Sequence, residues 1–263
     1  MSPKRQQVTS AFNQAADAYE HKGTLQLESA KELLDLLPSW LNVLPEGPII
    51  ELGCGTGRVS HMFVDILTPR AMQLTDISPE MLKITQSKLQ GYPNLTYQLF
   101  DGNDALPKTQ YSLIFSALAL QWFEHPLEAL TFLASALRPQ GKLILSFLES
   151  NSFKQWKDAA HTLHIPFTAN NLPLGSSMKA VLEALPGTLQ WVDSHITLNF
   201  GKAIEFFKNL KTIGAGVQLS GLSLNPGQMK QLLHHLDEKY PLGLTMSHQI
   251  CYLCYQAPDA HFS

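Results

Sequence analysis

The sequence predicts an α/β fold: a doubly wound, mostly parallel sheet of seven strands, with helices before it and a helical insertion ahead of the last strands. Three observations carry this. Between residues 48 and 149, short apolar runs alternate with helical patterns, the signature of βαβ units whose strands are buried on both faces. The first of these runs ends in Gly53, Gly55 and Gly57 and opens a helix, so backbone rather than side chain faces whatever lies beyond the strand. The 263 residues, 44% of them hydrophobic, suffice for one domain with a large core.

The elements follow in order. VTSAFNQAADAYE (8–20) reads as a helix with Phe12 and Tyr19 one helical face apart. TLQLESAKELLDLL (24–37) reads as a second helix, which Pro38 is expected to end. Strands are expected at 48–52, 71–76, 95–100, 111–118 and 142–149, with helices at 57–67, 79–89 and 126–137 between them. Ser78 and Pro79 supply an N-cap and a first helical residue. After residue 150 the rhythm stops. A helix is expected at 153–163, a strand at 188–200, helices at 201–214 and 225–240, and a last strand at 244–256. The expected layout is a single domain, 1–263: lid helices (1–44), a ligand-binding core (45–149), a helical insertion with a late strand (150–240), and a last strand and tail (241–263).

Net charge is −3, which gives no support to binding through an overall basic surface, so no nucleic-acid partner is expected. Three cysteines do not make a disulfide framework. The amino terminus lacks the apolar core of a signal peptide, and no apolar run reaches membrane-spanning length. A cytoplasmic monomer is expected, without a membrane partner. Cys251 and Cys254 lie three apart in a strand and face opposite sides, so packing is expected there and no metal site.

The spacing at the turn is G-x-G-x-G, and Arg58 stands where a dinucleotide fold needs a third glycine. Glu51 precedes the first glycine by two places; a carboxylate there repels a pyrophosphate and suits an ammonium group. Asp76, 19 residues past Gly57 at the end of the next strand, suits ribose hydroxyls. Together these favour a ligand with a ribose and a cationic, phosphate-free tail, as in S-adenosylmethionine.

ELGCGTG followed by LTDISPEML, then YSLIFSALALQWFEHPLEAL and LRPQGKLILSF, resembles the Rossmann-like class I S-adenosylmethionine-dependent methyltransferases over roughly residues 45–148. The resemblance implies that Glu51, Gly53 and Gly55 flank the methionine moiety, with Cys54 and Gly57 in the same turn. It implies Asp76 on the ribose, Ile77 on the adenine face with Met81 beside it, and Ser116 to Leu118 over the methionine end. Asp101, Gly102 and Asn103 meet the adenine edge, but this chain reads DGNDALP where the family often reads GDAExLP. Either Asp101 or Asn103 then takes the adenine amino group.

A narrower resemblance lies outside the core. VTSAFNQAADAYEH, ALALQWF, FFKNLKTIGAG and PLGLTMSHQICY are similar to malonyl-[acyl-carrier-protein] O-methyltransferases of biotin synthesis. It implies methyl transfer from S-adenosylmethionine to the free carboxylate of a malonyl thioester on an acyl carrier protein. A carboxylate is already ionised and nucleophilic at neutral pH, so no general base is needed. Tyr19 is either a lid residue near the methyl group or a packed aromatic, and Gln121 and Trp122 follow the fourth strand at the ligand-binding face. The family commonly places arginines after the IGA block, and this chain has none in GVQLSGLSLNPGQ. Lys208, Lys211 or Lys22 then stands in as the cation for the malonyl carboxylate, and lysines 154, 157 and 202 are further candidates to receive an acidic carrier. The rival readings are methylation of a free small carboxylic acid or a quinone or lipid precursor, and a non-catalytic adenosylmethionine binder.

Overall fold

The computed structural model describes residues 2–107 and 110–259. Two helices lead, α1 (Pro3–Lys22) and α2 (Thr24–Trp40). Then come β1 (Ile49–Leu52), α3 (Arg58–Leu67), β2 (Met72–Asp76), α4 (Pro79–Lys88), β3 (Leu95–Leu99) and β4 (Tyr111–Ala117). A short 3₁₀ turn at Leu120–Trp122 precedes α5 (Pro126–Ser135) and β5 (Leu137–Leu148). The remainder is α6 (Lys154–Thr162), α7 (Gly175–Glu183), β6 (Thr188–Phe200), α8 (Ala203–Thr212), α9 (Pro226–Lys239) and β7 (Leu244–Gln256).

The seven strands form one sheet in the order β3-β2-β1-β4-β5-β7-β6. The first five are parallel to their neighbours, and β7 runs antiparallel between β5 and β6. Successive strand residues feed opposite faces, as the period of two requires. Ile49, Leu113, Phe115 and Cys254 pack with α2, α3, α6, α8 and α9, whereas Ile50, Ile114, Leu143 and Cys251 pack with α5 and α7. The two late cysteines therefore lie on opposite faces, in separate cores. The strand order reverses between β1 and β4, and the carboxyl ends there open the crevice where ligands bind in such sheets.

Several boundaries differ from expectation. Helix α2 runs through Pro38 to Trp40. Trp40 is 2% exposed, and the last turn is held by Leu41 N–H donating to the Leu37 carbonyl (2.8 Å) and by Lys142 Nζ reaching the Trp40 carbonyl (2.5 Å). Burial of the indole outweighs the one helical hydrogen bond that proline removes; truncating Trp40 to Ala is expected to cost about 3–5 kcal/mol. Helix α1 starts at Pro3, five residues earlier than periodicity indicates, because the Ser2 side chain accepts from Arg5 N–H as an N-cap. Strand β5 starts at Leu137, since Leu137 pairs with Tyr111 before a register shift joins Leu113 to Lys142. Helix α7 was not expected; Met178 and Leu182 bury it against the α5 side of the sheet, and that tertiary contact stabilises a segment with weak propensity. The Ser78 cap forms as expected, accepting from Met81 N–H at 3.1 Å.

Helix α1 lies across the open end of the parallel strands. Arg5 Nη1 and Nε bind Asp104 (2.8 Å) and Glu124 (2.9 Å), Ser78 Oγ donates to Asn13 Oδ1 (2.6 Å), and Lys88 pairs with Glu20 (2.8 Å). Arg58 takes part as well. Instead of a surface ion pair alone, its guanidinium donates to the carbonyls of Glu20 (2.5 Å) and Gly23 (3.0 Å), closing the end of α1 onto the glycine turn.

Candidate functional site

The glycine turn is held from the neighbouring strand: Gly53 N–H and Cys54 N–H both donate to the Thr75 carbonyl (2.9 and 2.8 Å). Gly53 has a φ of +77°, and a Cβ there would stand 2.7 Å from that of Ala119, so only glycine fits. Gly57, also at φ +77°, is the left-handed N-cap of α3 and lies against Thr85. The turn leaves Gly55 N–H pointing at Asp76, whose Oδ2 accepts it at 2.8 Å while Oδ1 accepts Ser78 N–H at 2.8 Å.

Three adjoining spaces open here. The first, about 720 Å³, is lined by Gly53, Gly55, Asp76, Ile77 and Met81 on one side and by Asp101, Gly102, Asn103 and Leu118 on another. A side lobe of about 460 Å³ reaches Glu51, Cys54 and Arg58 past Gly53 and Gly55. The third is a chamber of about 1510 Å³ with a largely apolar wall that includes Phe153, Trp156, Phe206 and Phe207. Phe12, Tyr19, Leu118 and Trp122 line both the first space and the chamber, so they form the partition between them.

Most residues expected at the site therefore come together, and four do not sit as expected. Ser116 is turned away: its hydroxyl donates to the Leu52 carbonyl (2.6 Å) within the sheet, and two residues on from Ile114 it shares the face that packs with α5 and α7. Gly57 shapes the turn from behind, against α4. Lys208 is exposed on α8 and is not part of the chamber wall, whereas Lys211, nearly one turn on, is. Gln121 lines the chamber and not the first space; its Nε2 donates to the Leu118 carbonyl (2.7 Å) and its Oε1 is buried without a partner among the described residues.

The carboxyls are perturbed by burial. Glu51, 1% exposed, is pushed up to about 8, with the Asp76 charge adding to the effect and the Ser60 hydroxyl opposing it. In the free protein it is a protonated acid at neutral pH rather than the ready carboxylate expected from sequence. Asp76 is raised to about 6 by burial, against which the N–H groups of Ser78, Gly55 and Ile77 hold it down. Burial also pushes the Cys54 thiol well above its ordinary value, so it is an inert filler. Burial and the Asp76 charge raise the Tyr19 phenol too, so that it remains protonated.

Hydrogen bonds tie the exchanged acid after β3 into its loop. Asp101 Oδ1 accepts both from the Asn103 backbone N–H (2.9 Å) and from its Nδ2 (2.8 Å), and Asn103 Oδ1 accepts Glu124 N–H (2.8 Å). Asn103 thus links Asp101 to the Glu124 backbone and holds the loop. Asp101 Oδ2 is buried with no hydrogen-bond partner among the described residues, and Arg5 Nη1 pairs with it at 3.5 Å. Sequence reasoning missed Arg5, Phe12 and Phe123, which also line the crevice. They come from a helix outside the strand–turn–helix units and from the loop after the 3₁₀ turn, where no motif marks them.

Three unpartnered or strongly shifted acids around a glycine turn suit a ligand that brings several donors and a positive charge, and the fit to S-adenosylmethionine is good. A family model described as "Methyltransferase domain" matches residues 50–143. The biotin biosynthesis bifunctional protein BioCD of Bordetella avium is 33% identical over 263 aligned residues, covering 97% of this chain; the chain spans about half of that relative, 53% of its length. The malonyl-[acyl-carrier protein] O-methyltransferase of Marinomonas sp. is 27% identical, covering 97% of this chain and 95% of the relative. Among solved structures, the YcgJ protein of Bacillus subtilis shares the fold with a TM-score of 0.62 at 14% identity, covering 88% of this chain and all of that one. Residues 50–143 form a methyltransferase domain with a Rossmann-like sheet and, over nearly its whole length, the chain is similar to the malonyl-[acyl-carrier protein] O-methyltransferases.

Proposed function

We propose that the protein transfers a methyl group from S-adenosylmethionine to the free carboxylate of a malonyl thioester, preferably malonyl-acyl carrier protein, in biotin biosynthesis. The observation that carries this reading is the pair of cavities meeting at one partition: an acid-lined crevice on one side and an apolar chamber on the other, with Phe12, Tyr19, Leu118 and Trp122 between them. Similarity to the named relatives along nearly the full chain supports the choice of acceptor.

When bound, S-adenosylmethionine supplies a methyl group on a positively charged sulfur, which also attracts an anionic acceptor. Asp76 holds the ribose hydroxyls, and Asp101 Oδ2, ion-paired with Arg5 at 3.5 Å, takes the adenine amino group. Ile77, Met81 and Gly102 flank the base. Glu51, with Gly53 and Gly55, receives the ammonium end in the side lobe. The partition residues exclude water and set the line of approach of the acceptor oxygen, which needs alignment rather than proton removal. Tyr19 and Trp122 act there as positioning residues, with Gln121 behind them. Lys211 at the chamber wall serves the anionic carrier and its arm. Lys22 lies alongside, since Asn209 of α8 donates to the Lys22 carbonyl (3.1 Å) and so joins α8 to the end of α1.

The test is acceptor competition with radiolabelled S-adenosylmethionine. Label on malonyl-carrier protein in preference to malonyl-CoA and free malonate is the expected result; label on none of the three overturns the proposal. A second reading, methylation of a quinone or lipid precursor, draws on the chamber's apolar wall and predicts label on such a precursor alone.

A further inference from the structure

The exposed part of the chamber wall is confined to one place. Among its described residues only Lys211, Gly216 and Gln218 are exposed, so the chamber meets solvent where α8 ends and the chain turns back. That turn, GAGVQLSG (214–221), contains no helix or strand, and it supplies Ala215, Gly216, Val217 and Gln218 to the wall. Facing it, the irregular loop between α6 and α7 supplies Thr168, Ala169, Asn170 and Leu172.

One side chain joins the two loops. Asn170 Nδ2 donates to the Val217 carbonyl (2.8 Å), and Asn170 Oδ1 accepts Leu219 N–H (2.8 Å). Among the described residues these are the only hydrogen bonds that 215–220 make outside their own loop. A glycine in the left-handed region stands at each end, Gly214 at φ +75° and Gly221 at φ +71°. Gly214 is packed on α1, where a Cβ would lie 3.0 Å from the Ala11 carbonyl oxygen, whereas a Cβ at Gly221 would meet nothing within 4 Å. One end is thus anchored, the other stands free, and the middle hangs on two hydrogen bonds. Bonds at an exposed loop are of modest net worth because water replaces them, and such segments open locally far more often than the packed elements beside them.

The acceptor supplies the need for an opening. A malonyl thioester on a carrier protein is a thread tied to a body too large to enter. Its acyl end must reach the partition, and its arm must still run out to solvent once the chamber has closed. We propose that residues 214–221 form a strap over the port by which a tethered acyl thioester enters the chamber, and that Asn170 is the clasp that closes the strap around the arm. This rests on the malonyl thioester reading above and adds the route. The acceptor enters between the strap and the facing loop, on the α8 side, and not past α1. The exposed points at Lys211, Gly216 and Gln218 mark where the arm leaves the closed chamber.

A reversible lock tests this. Asn170→Cys with Gln218→Cys puts one thiol in each loop; the native Cys54, Cys251 and Cys254 are buried, so the new pair can be oxidised selectively. The same variant is assayed oxidised and reduced. Oxidised, it should turn over malonyl-carrier protein at least about 50-fold more slowly than reduced, with S-adenosylhomocysteine affinity equal within about twofold. Equal turnover in the two states overturns the inference. So does a parallel loss of S-adenosylhomocysteine affinity, which would make the lock a general distortion. Wild type methylating no malonyl thioester overturns the parent reading together with this one, and so is distinct from failure of the strap alone. If the disulfide does not form, or the reduced variant is inactive, the wild-type protein with S-adenosylhomocysteine decides. Hydrogen exchange at the Leu219 amide, read by NMR, should slow at least about tenfold on adding malonyl-carrier protein and not on adding free malonate. A rate that malonyl-carrier protein leaves unchanged overturns the inference.

Discussion

The acid-lined crevice and the apolar chamber share a wall but are built on different principles. The crevice is made by the carboxyl ends of β1, β2, β3 and β4, and each of its key groups sits at or just beyond a strand end: Glu51, Gly53, Asp76, Asp101 and Leu118. The chamber gathers Phe12 from α1, Trp156 from α6, Phe206 and Lys211 from α8 and His248 from β7. One recognises its ligand with backbone and fixed carboxyls and tolerates little change. The other uses packed rings, whose detail can vary while the cavity persists. The contrast shows why methyl-donor binding can stay constant across a fold that handles many acceptors.

The comparison breaks first at Asp76. Its carboxylate fixes both Gly55 and Ser78, so Asp76→Ala should weaken S-adenosylhomocysteine binding by about 100-fold, from two lost charge-assisted hydrogen bonds and the ribose contact. Titration calorimetry reads this directly, and unchanged affinity would remove the ribose assignment. The Glu51 carboxyl sharpens the electrostatic half of the contrast. Burial puts its pKa at about 8 in the free protein, and a bound ammonium group favours the ionised form, so binding releases a proton below that pH. Affinity should therefore rise close to tenfold between pH 6.5 and 8, and Glu51→Gln should flatten the profile. A flat wild-type profile would mean the ammonium group lies elsewhere.

Smaller effects belong to the cover. Arg5 is about one-fifth exposed and binds three acids at the rim, so Arg5→Ala should speed S-adenosylhomocysteine release by about fivefold, less at high salt. Stopped-flow release rates showing no salt-dependent difference would make α1 a fixed wall rather than a latch. The smallest change is expected on the chamber side. Lys211→Ala should raise KM for malonyl-carrier protein about threefold while Lys208→Ala leaves it within error, because only Lys211 reaches the wall. Equal effects from the two lysines would move recognition from the mouth to the general surface of α8.

Much of the crevice was legible because its residues are tied to local geometry. A glycine at φ +77° and an acid at a strand end have few substitutes, and Gly53 and Asp76 could be named from spacing alone. The hydrogen bond that ties Asn103 to the Glu124 loop was not legible, since it joins residues 21 apart. Nor was Ser116, whose orientation follows from sheet pleat. Pro38 misled because propensity speaks only for the helix, while Trp40 answers to the core. The chamber was nearly invisible: Phe153, Trp156 and Phe207 read as ordinary apolar residues in a stretch without periodic strands.

The sequence by itself determined the alternation of strand and helix, the parallel core, the glycine turn and the acids that follow it. These are short-range consequences of hydrophobic period and backbone sterics, which a linear string records. Contacts between distant elements set the rest: α1 closes over the strand ends, Lys211 rather than Lys208 meets the chamber, and Trp156 lies buried in the chamber wall. Those facts depend on contacts between segments up to 200 residues apart, and the free energy that fixes them comes from packing and burial rather than from any local preference.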